Sequence, residues 1–260
     1  MPRARHRANV LNPLVKIDSN QHTHLRRQGA QGGHYWNIDE HHVDHSLVTA
    51  YRSEVKDHYY YRQARRCCYC SKELDKHKRS YDAEHIISKD SCPHLMFETN
   101  NIAASCLQCN GAKYITNVLA GEAKPDSVPI DSKDYIIVHP HLDEWENHLE
   151  FDKFERVVAK PGDRKGSETI RICKIEKLNR LRLSDYFLPG DNKLAEKTIE
   201  GFYKSIRVST KKKKFELLEK ISSTIKGTLT EDVLALLKDE LDRAIEAEAA
   251  AKQRKVNVAN

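Results

Sequence analysis

The sequence contains no apolar run that approaches the roughly 18 residues of a membrane-spanning helix. Its first residues are basic but include no continuous apolar segment, so we expect no secretory signal. Hydrophobic residues make up only 39% of the 260 residues, whereas charged residues reach 32%. These shortages predict a cytoplasmic protein without a membrane partner, and a core that is modest for the length of the chain.

The chain has seven cysteines, and this odd number argues against a framework of disulfide bonds. Four of them form two C-x-x-C pairs, Cys67 with Cys70 and Cys106 with Cys109. A C-x-x-C pair lets two thiolates reach one ion from a tight turn, and two pairs complete a tetrahedral site. The pairs therefore predict one structural Zn²⁺, with buried reduced thiols as the alternative. Cys68 lies beside Cys67 but lacks the spacing to Cys70.

The net positive charge is small, because the chain contains 44 Lys and Arg residues and 38 Asp and Glu residues. Its distribution is more informative than the net charge of +6. Residues 1–30 carry six basic residues against one acid, and residues 62–80 carry seven against two. Clustered basic charge is typical of a surface that contacts a phosphate backbone, although a solvated surface has the same pattern. The stretch 231–248 is acidic instead.

Composition and hydrophobic spacing divide the chain into four segments. They are a basic N-terminal arm and helix (1–64), a core with the cysteine pairs (65–120), a hairpin–helix extension (121–188) and a helical C-terminal region (189–260). Within the first segment, residues 1–33 are polar, and we interpret them as a mobile arm.

Periodic apolar residues predict the elements within these segments. We expect helices over 43–64, from Cys109 to about Ala120 and over 168–186, strands over 81–88 and from Asn101, and a hairpin over 148–163. Residues 192–207 are a further candidate helix, and apolar stripes predict helices over 212–226 and 231–248, the last of them capped by Thr230. We expect the final two helices to pair as an antiparallel hairpin.

The stretch between the two cysteine pairs contains a second pattern. Glu84 directly precedes His85, Asn101 precedes the second pair, and Asn110 directly follows it. With Lys113, the second pair reads C-x-x-C-N-x-x-K. This set resembles the HNH endonuclease family over about residues 65–120.

The resemblance implies an α+β fold with a small ββα-metal core, in which two strands and a helix hold one catalytic divalent ion. A four-cysteine zinc site pins this core, which an N-terminal helix and a mostly helical C-terminal region flank. The implied activity is hydrolysis of phosphodiester bonds, with DNA as the expected nucleic acid. In the family pattern Asn101 hydrogen-bonds across a loop and holds the strand of His85, so we include it in the catalytic set.

The residue types suit that chemistry without the resemblance. Phosphodiester hydrolysis needs a base for the attacking water and a positive centre for the developing charge. The imidazole of His85 is suited to be the general base near pH 7. The carboxylate of Glu84 and the amide oxygen of Asn110 suit Mg²⁺, with Mn²⁺ as a substitute. Asp82, on the same strand face, is the alternative carboxylate, and Lys113 is expected to contact phosphate.

Three further histidines, His139, His141 and His148, are expected on the surface or lining the cleft. Two other classes of function remain open. One is a zinc-stabilised nucleic-acid-binding module without catalysis, and the other is an interaction protein whose C-terminal helices bind a partner. The Glu84–His85 and Asn110 set favours the enzyme, because a binding module does not need it.

The wider resemblance is to bacterial effectors of anti-phage defence, including those that are paired with an ATPase. We therefore expect the C-terminal helices to form a homo-oligomer or to bind a partner protein such as a defence ATPase.

Overall fold

The computed structural model describes residues 2–77, 79–184, 197, 200–204, 216, 235–242 and 245. The chain forms two compact units, Met1–Glu176 and Lys177–Asn260. The described residues combine α-helices with two small two-stranded sheets, which agrees with the expected mixture of helix and strand. No helix among the described residues has the length and apolar character to cross a membrane.

The interpretation of residues 1–33 as a mobile arm is wrong. Helix α1 (Ser19–Gly29) begins with a capping box, because Asp18 and Gln21 exchange side chain-to-backbone hydrogen bonds. Arg5 is buried, and its guanidinium donates to the carbonyl oxygens of Cys68, His139 and Pro140. These partners are far away in sequence, so the polar composition of this segment gave no sign of them.

Helix α2 (His45–Arg62) confirms the helix expected over 43–64. Its buried face includes Val48, Tyr51, Val55 and Tyr59 and packs mainly against the strand that leads into the second cysteine pair. The helix therefore supports the strand that leads into the second cysteine pair.

Strands β1 (Tyr81–His85) and β2 (Ile102–Cys106) are antiparallel, with Tyr81 opposite Cys106 and His85 opposite Ile102. Helix α3 (Leu107–Lys113) follows β2 directly. It ends well before the expected end near Ala120, because Tyr114 has a φ of 46° and leaves the helical conformation.

The expected hairpin over 148–163 is confirmed. A single helical turn, α4 (Trp145–His148), leads into β3 (Leu149–Phe151), which pairs with β4 (Val157–Ala159). Short 3₁₀ turns occupy Gly33–Asn37, Pro93–Leu95, Thr99–Asn101 and Ser132–Asp134.

The single helix expected over 168–186 is wrong, because two helices occupy this region. Helix α5 (Arg164–Ile172) begins where the Asp163 side chain accepts from Gly166 N, and helix α6 spans Ile175–Ser184. Lys174 has a φ of 48°, which interrupts the helix between them. The apolar stripe continues across this break, and so the sequence pattern did not reveal it.

The core relies on aromatic residues, in keeping with the modest hydrophobic content. Its largest fully buried side chains include Trp145, Tyr51, Tyr59, Tyr69, Tyr81 and Tyr135. The Tyr51 hydroxyl donates to the Phe97 carbonyl oxygen at 2.8 Å, and the Tyr59 hydroxyl donates to that of Thr99 at 2.5 Å. Tyrosine can fill this core because buried hydroxyls find backbone acceptors.

In the second unit, 201–204 and 235–242 are helical, as expected for the helices over 192–207 and 231–248. Thr230 and nearly all of the predicted helix 212–226 lie outside the described residues. The pairing of the last two helices and the four-segment division remain predictions.

Candidate metal centre and adjoining cleft

The two C-x-x-C pairs come together. The sulfur atoms of Cys67, Cys70, Cys106 and Cys109 all lie within 4.8 Å of one another, and all four residues are buried. Within the part of the chain that the structure describes, this is the one group of three or more potential metal ligands so close together. Four buried thiols in this arrangement could hold a metal ion such as zinc.

Local structure brings the thiols into position. A tight turn follows α2, in which Cys67 N donates to Lys72 O at 2.9 Å and Ser71 N donates to Cys67 O at 3.0 Å. The second pair spans the junction between β2 and α3, and Cys109 N donates to the Cys106 sulfur at 3.5 Å. The cluster therefore joins the turn, the strand and the helix at one point.

Two further cysteines lie next to this cluster. Cys68 is buried but is not one of the four clustered residues, as its spacing predicted. Cys173, which follows α5, is buried beside Cys109, and burial raises the pKa of its thiol. No spacing in the sequence indicated that Cys173 would reach the cluster.

A cleft of about 250 Å³ lies beside the cluster, between the end of β1 and helix α3. It brings together Glu84, His85 and Asn110, three of the four residues that the sequence selected around the cysteine pairs. Its other walls come from Ser88–Asp90 and from the end of α3, including Lys113 and Tyr114. Asn101 does not line it.

His85 is the last residue of β1 and is only 7% exposed. Its Nε2 lies 3.1 Å from the carbonyl oxygen of Met96, and the edge of its ring packs against Trp36 with ring centroids 4.4 Å apart. Burial, followed by the positive charge of Lys89, lowers the pKa of His85 to about 3. The imidazole is therefore neutral at pH 7. No pattern in the sequence indicated that Trp36 would contact His85.

Glu84 forms a buried ion pair with Lys113. The Lys113 Nζ lies 2.9 Å from Glu84 Oε1, and the two side chains are 1% and 3% exposed. The Tyr69 hydroxyl also donates to Oε1, at 3.1 Å. Burial raises the pKa of Glu84, while the charge of Lys113 acts in the opposite direction. Lys113, which was expected to contact phosphate, thus neutralises a carboxylate.

Asp82 and Asn110 form a second polar contact at the same edge. The Asn110 Nδ2 donates to Asp82 Oδ2 at 2.7 Å, and both residues are half-buried. Asp82 and Glu84 on β1 and Asn110 on α3 offer oxygen atoms of the type that a hard divalent cation takes as ligands. Lys113 already balances the charge of Glu84, whereas Asp82 contacts an uncharged amide.

Asn101 is fully buried, and its side chain forms hydrogen bonds with the backbone. Its Oδ1 accepts from Ile87 N at 2.8 Å, and its Nδ2 donates to the carbonyl oxygens of Ile87 and Leu95, each at 3.1 Å. These bonds tie the chain just after His85 to the loop before β2. Asn101 is therefore placed to hold the end of β1, at a distance from the cleft itself.

The expectation of surface positions for His139 and His141 is wrong, because both are buried. His141 Nε2 lies 2.8 Å from Ile102 O, and His148 Nδ1 lies 2.8 Å from the Asp163 carboxylate. None of these three histidines lines the cleft. His141 joins the extension to strand β2, whereas the contact of His148 with Asp163 lies within the extension.

Most of the second basic cluster, which lies within residues 62–80, is exposed. Its exposed members are Arg62, Arg65, Lys72, Lys76 and Arg79. The first cluster is not uniform, since Arg5 is buried in a structural contact. The other five basic residues of the first cluster are exposed, so both clusters present positive charge to solvent.

Fold and site together define a mixed α and β protein with a buried four-thiol cluster and an adjoining polar cleft. The chain is 30% identical over 116 residues to the Septu protein PtuB of Bacillus thuringiensis. The aligned part is 45% of this chain and 38% of PtuB, so the chain spans less than half the length of this relative. No family model and no solved structure matches the chain.

Proposed function

We propose that this protein is a metal-dependent endonuclease of the HNH type, which hydrolyses phosphodiester bonds of nucleic acid, with DNA as its substrate. The observation that carries the proposal is the cleft in which Glu84, His85 and Asn110 meet beside the four-cysteine cluster. Such a reaction needs a general base, oxygen ligands for a metal ion, and a rigid framework that holds these groups in place.

His85 is the general base. A carbonyl oxygen can only accept, so the contact with Met96 places the imidazole proton on Nε2. The other nitrogen, Nδ1, then has a free lone pair that can take a proton from water. Burial keeps the ring neutral at pH 7, the form that can accept a proton, but its pKa of about 3 is lower than the value near the working pH that favours a general base.

Glu84 and Asn110 would hold the catalytic ion, Mg²⁺ or Mn²⁺, with Asp82 as the competing carboxylate. When bound, such an ion supplies positive charge that polarises the phosphate. The Lys113 ammonium keeps a positive charge at the same wall of the cleft and holds the Glu84 carboxylate in place.

The cysteine cluster is a structural zinc site that sets the geometry of the cleft. Asn110 directly follows Cys109, and Glu84 lies on the strand paired with the one that ends at Cys106. A metal ion on the four thiols would fix α3 against β1, and thereby Asn110 against Glu84 and His85. Asn101 fixes the other end of the site by holding the backbone after His85.

Similarity to the Septu protein PtuB supports a role in bacterial anti-phage defence. In this role the C-terminal region would form a homo-oligomer or bind a partner protein such as a defence ATPase. Light scattering on the full chain, alone and mixed with a candidate ATPase, tests this part. A mass of 30.0 kDa for the chain alone, with no heavier complex in the mixture, would contradict it.

Digestion of defined substrates tests the activity. The purified protein is incubated with supercoiled plasmid, linear duplex DNA, single-stranded DNA and RNA, with and without Mg²⁺. We expect Mg²⁺-dependent cleavage of DNA at internal positions. Binding without any cleavage, in Mg²⁺ and in Mn²⁺, would favour the zinc-stabilised binding module instead.

A further inference from the structure

Tyr114 occupies an unusual position at the rim of the cleft. It follows the last residue of α3 and is 70% exposed, and its neighbour Ile115 is 48% exposed. Both residues line the cleft that contains His85 and Asn110. Within the described residues, the Tyr114 side chain makes no hydrogen bond or ring contact. The aromatic ring therefore contributes little to the core.

The backbone of Tyr114 is strained. Its φ is 46° and its ψ is −125°, and Thr116 N donates to Lys113 O at 2.9 Å to close a four-residue turn. These angles belong to the first central residue of a type II′ turn, where glycine is strongly preferred. An exposed aromatic residue at such a position costs stability without any gain from packing.

The surrounding contacts hold this conformation in place. Tyr114 N donates to Asn110 O at 2.9 Å, which anchors the turn to α3. The preceding residue, Lys113, is fixed by its buried ion pair with Glu84. The ring of Tyr114 is thus presented to solvent from a well-anchored backbone, directly beside the residues that bind and cleave phosphate in the proposed function.

We propose that Tyr114 is a stacking platform for an unpaired nucleobase next to the phosphate that the cleft receives. The inference rests on the proposed nuclease function and specifies its substrate, nucleic acid that is single-stranded at the cut. Aromatic side chains stack on the face of any base, whereas the bases of an intact duplex already stack on one another. Ile115 lies beside the ring and extends the apolar surface.

Fluorescence anisotropy tests the platform separately from cleavage. The probes are labelled single-stranded DNA, single-stranded RNA of the same sequence and the corresponding duplex DNA, without added divalent metal. We expect Tyr114→Ala and Tyr114→Gly to weaken single-strand binding by about 5- to 150-fold and duplex binding by less than about twofold. The Tyr114→Trp variant keeps the affinity of the parent. A loss in the DNA arm supports DNA as the substrate, whereas a loss in the RNA arm alone would support the platform and contradict DNA as the substrate.

Two controls separate stacking from a structural effect. Tyr61, an exposed tyrosine at the end of α2, does not line the cleft, so Tyr61→Ala should bind like the parent. Tyr114→Gly removes the strained side chain and should unfold at a higher temperature than the parent. Its weaker binding therefore cannot come from unfolding.

Parent-like binding of single strands by Tyr114→Gly would overturn the stacking proposal, as would an equal loss for duplex and single strands. Either result together with Mg²⁺-dependent cleavage by the parent would leave the nuclease function standing. Tyr114-dependent binding with no cleavage would support the platform and contradict the nuclease.

Discussion

The side-chain amide of Asn110 donates to the carboxylate of Asp82 at 2.7 Å. This contact links helix α3, which follows the second cysteine pair, to strand β1, which carries His85. The edge where helix and strand meet thus contains two carboxylates, those of Asp82 and Glu84, close to a single amide. Their surroundings differ, because only Glu84 is paired with a lysine.

We expect Glu84→Gln to raise the Mg²⁺ concentration for half-maximal cleavage by at least about tenfold, and more than Asp82→Asn does. Glu84 lines the cleft, and its replacement removes a carboxylate oxygen from the proposed ion site. Metal titrations of the cleavage rate rank the two residues, with thermal unfolding as a check on folding. A larger shift for Asp82→Asn would assign the ion to Asp82.

The cysteine cluster should contain about one zinc per chain, and Cys106→Ser should lose both the metal and much of the stability. Structural zinc contributes directly to the free energy of folding, so a loss of several kcal/mol is expected. Cys92→Ser is the matched control, because Cys92 is buried but lies outside the cluster. A stably folded Cys106→Ser protein without zinc would refute this account of the cluster.

Asn101→Ala should lower the free energy of unfolding by about 3 kcal/mol, because it leaves the buried N–H and carbonyl of Ile87 without partners and removes one hydrogen bond to the Leu95 carbonyl. Cleavage should slow as the end of β1 loosens, while the zinc content stays unchanged. Asn101→Asp keeps the acceptor for Ile87 N but places a buried carboxylate oxygen against the carbonyl oxygens of Ile87 and Leu95, so it should be at least as destabilising as Asn101→Ala. Denaturant unfolding and metal analysis of both variants check this. Parent-like stability of Asn101→Ala would contradict the positioning role.

Much of the site follows from local spacing, and much of its environment does not. The cysteine pairs predicted the cluster because the residues of each pair are three apart and share a turn. The hairpin and the two strands around the site also followed from short-range patterns. The Glu84–Lys113 pair, the contact of Trp36 with His85 and the burial of Arg5 depend on distant segments meeting. No local pattern encodes such contacts.

The buried histidines make stability depend on pH. Burial lowers the pKa of His141 to about 4, below its ordinary value of 6.5, so the unfolded chain binds more protons between these two values. Stability contributed by the neutral ring is therefore complete above about pH 6.5 and falls by up to roughly 3 kcal/mol as the pH approaches 4.

Replacing His141 with Gln should flatten this dependence, because glutamine does not titrate. Denaturant unfolding of parent and His141→Gln between pH 4 and pH 7 gives the two slopes, and their difference removes the effect of acid on the cysteine cluster. Equal slopes for the two proteins would show that His141 is not the group responsible.

The central claim is that His85 is the general base of a nuclease, and the cleavage rate of His85→Ala tests it most directly. His41→Ala is the matched control, since His41 is exposed and lies away from the cleft. With saturating Mg²⁺ and a substrate that the parent cleaves, we predict that His85→Ala is slower by about 10²- to 10⁴-fold, with its zinc content and fold unchanged. His41→Ala should cleave at the rate of the parent. Equal rates for His85→Ala and the parent would contradict the proposed mechanism.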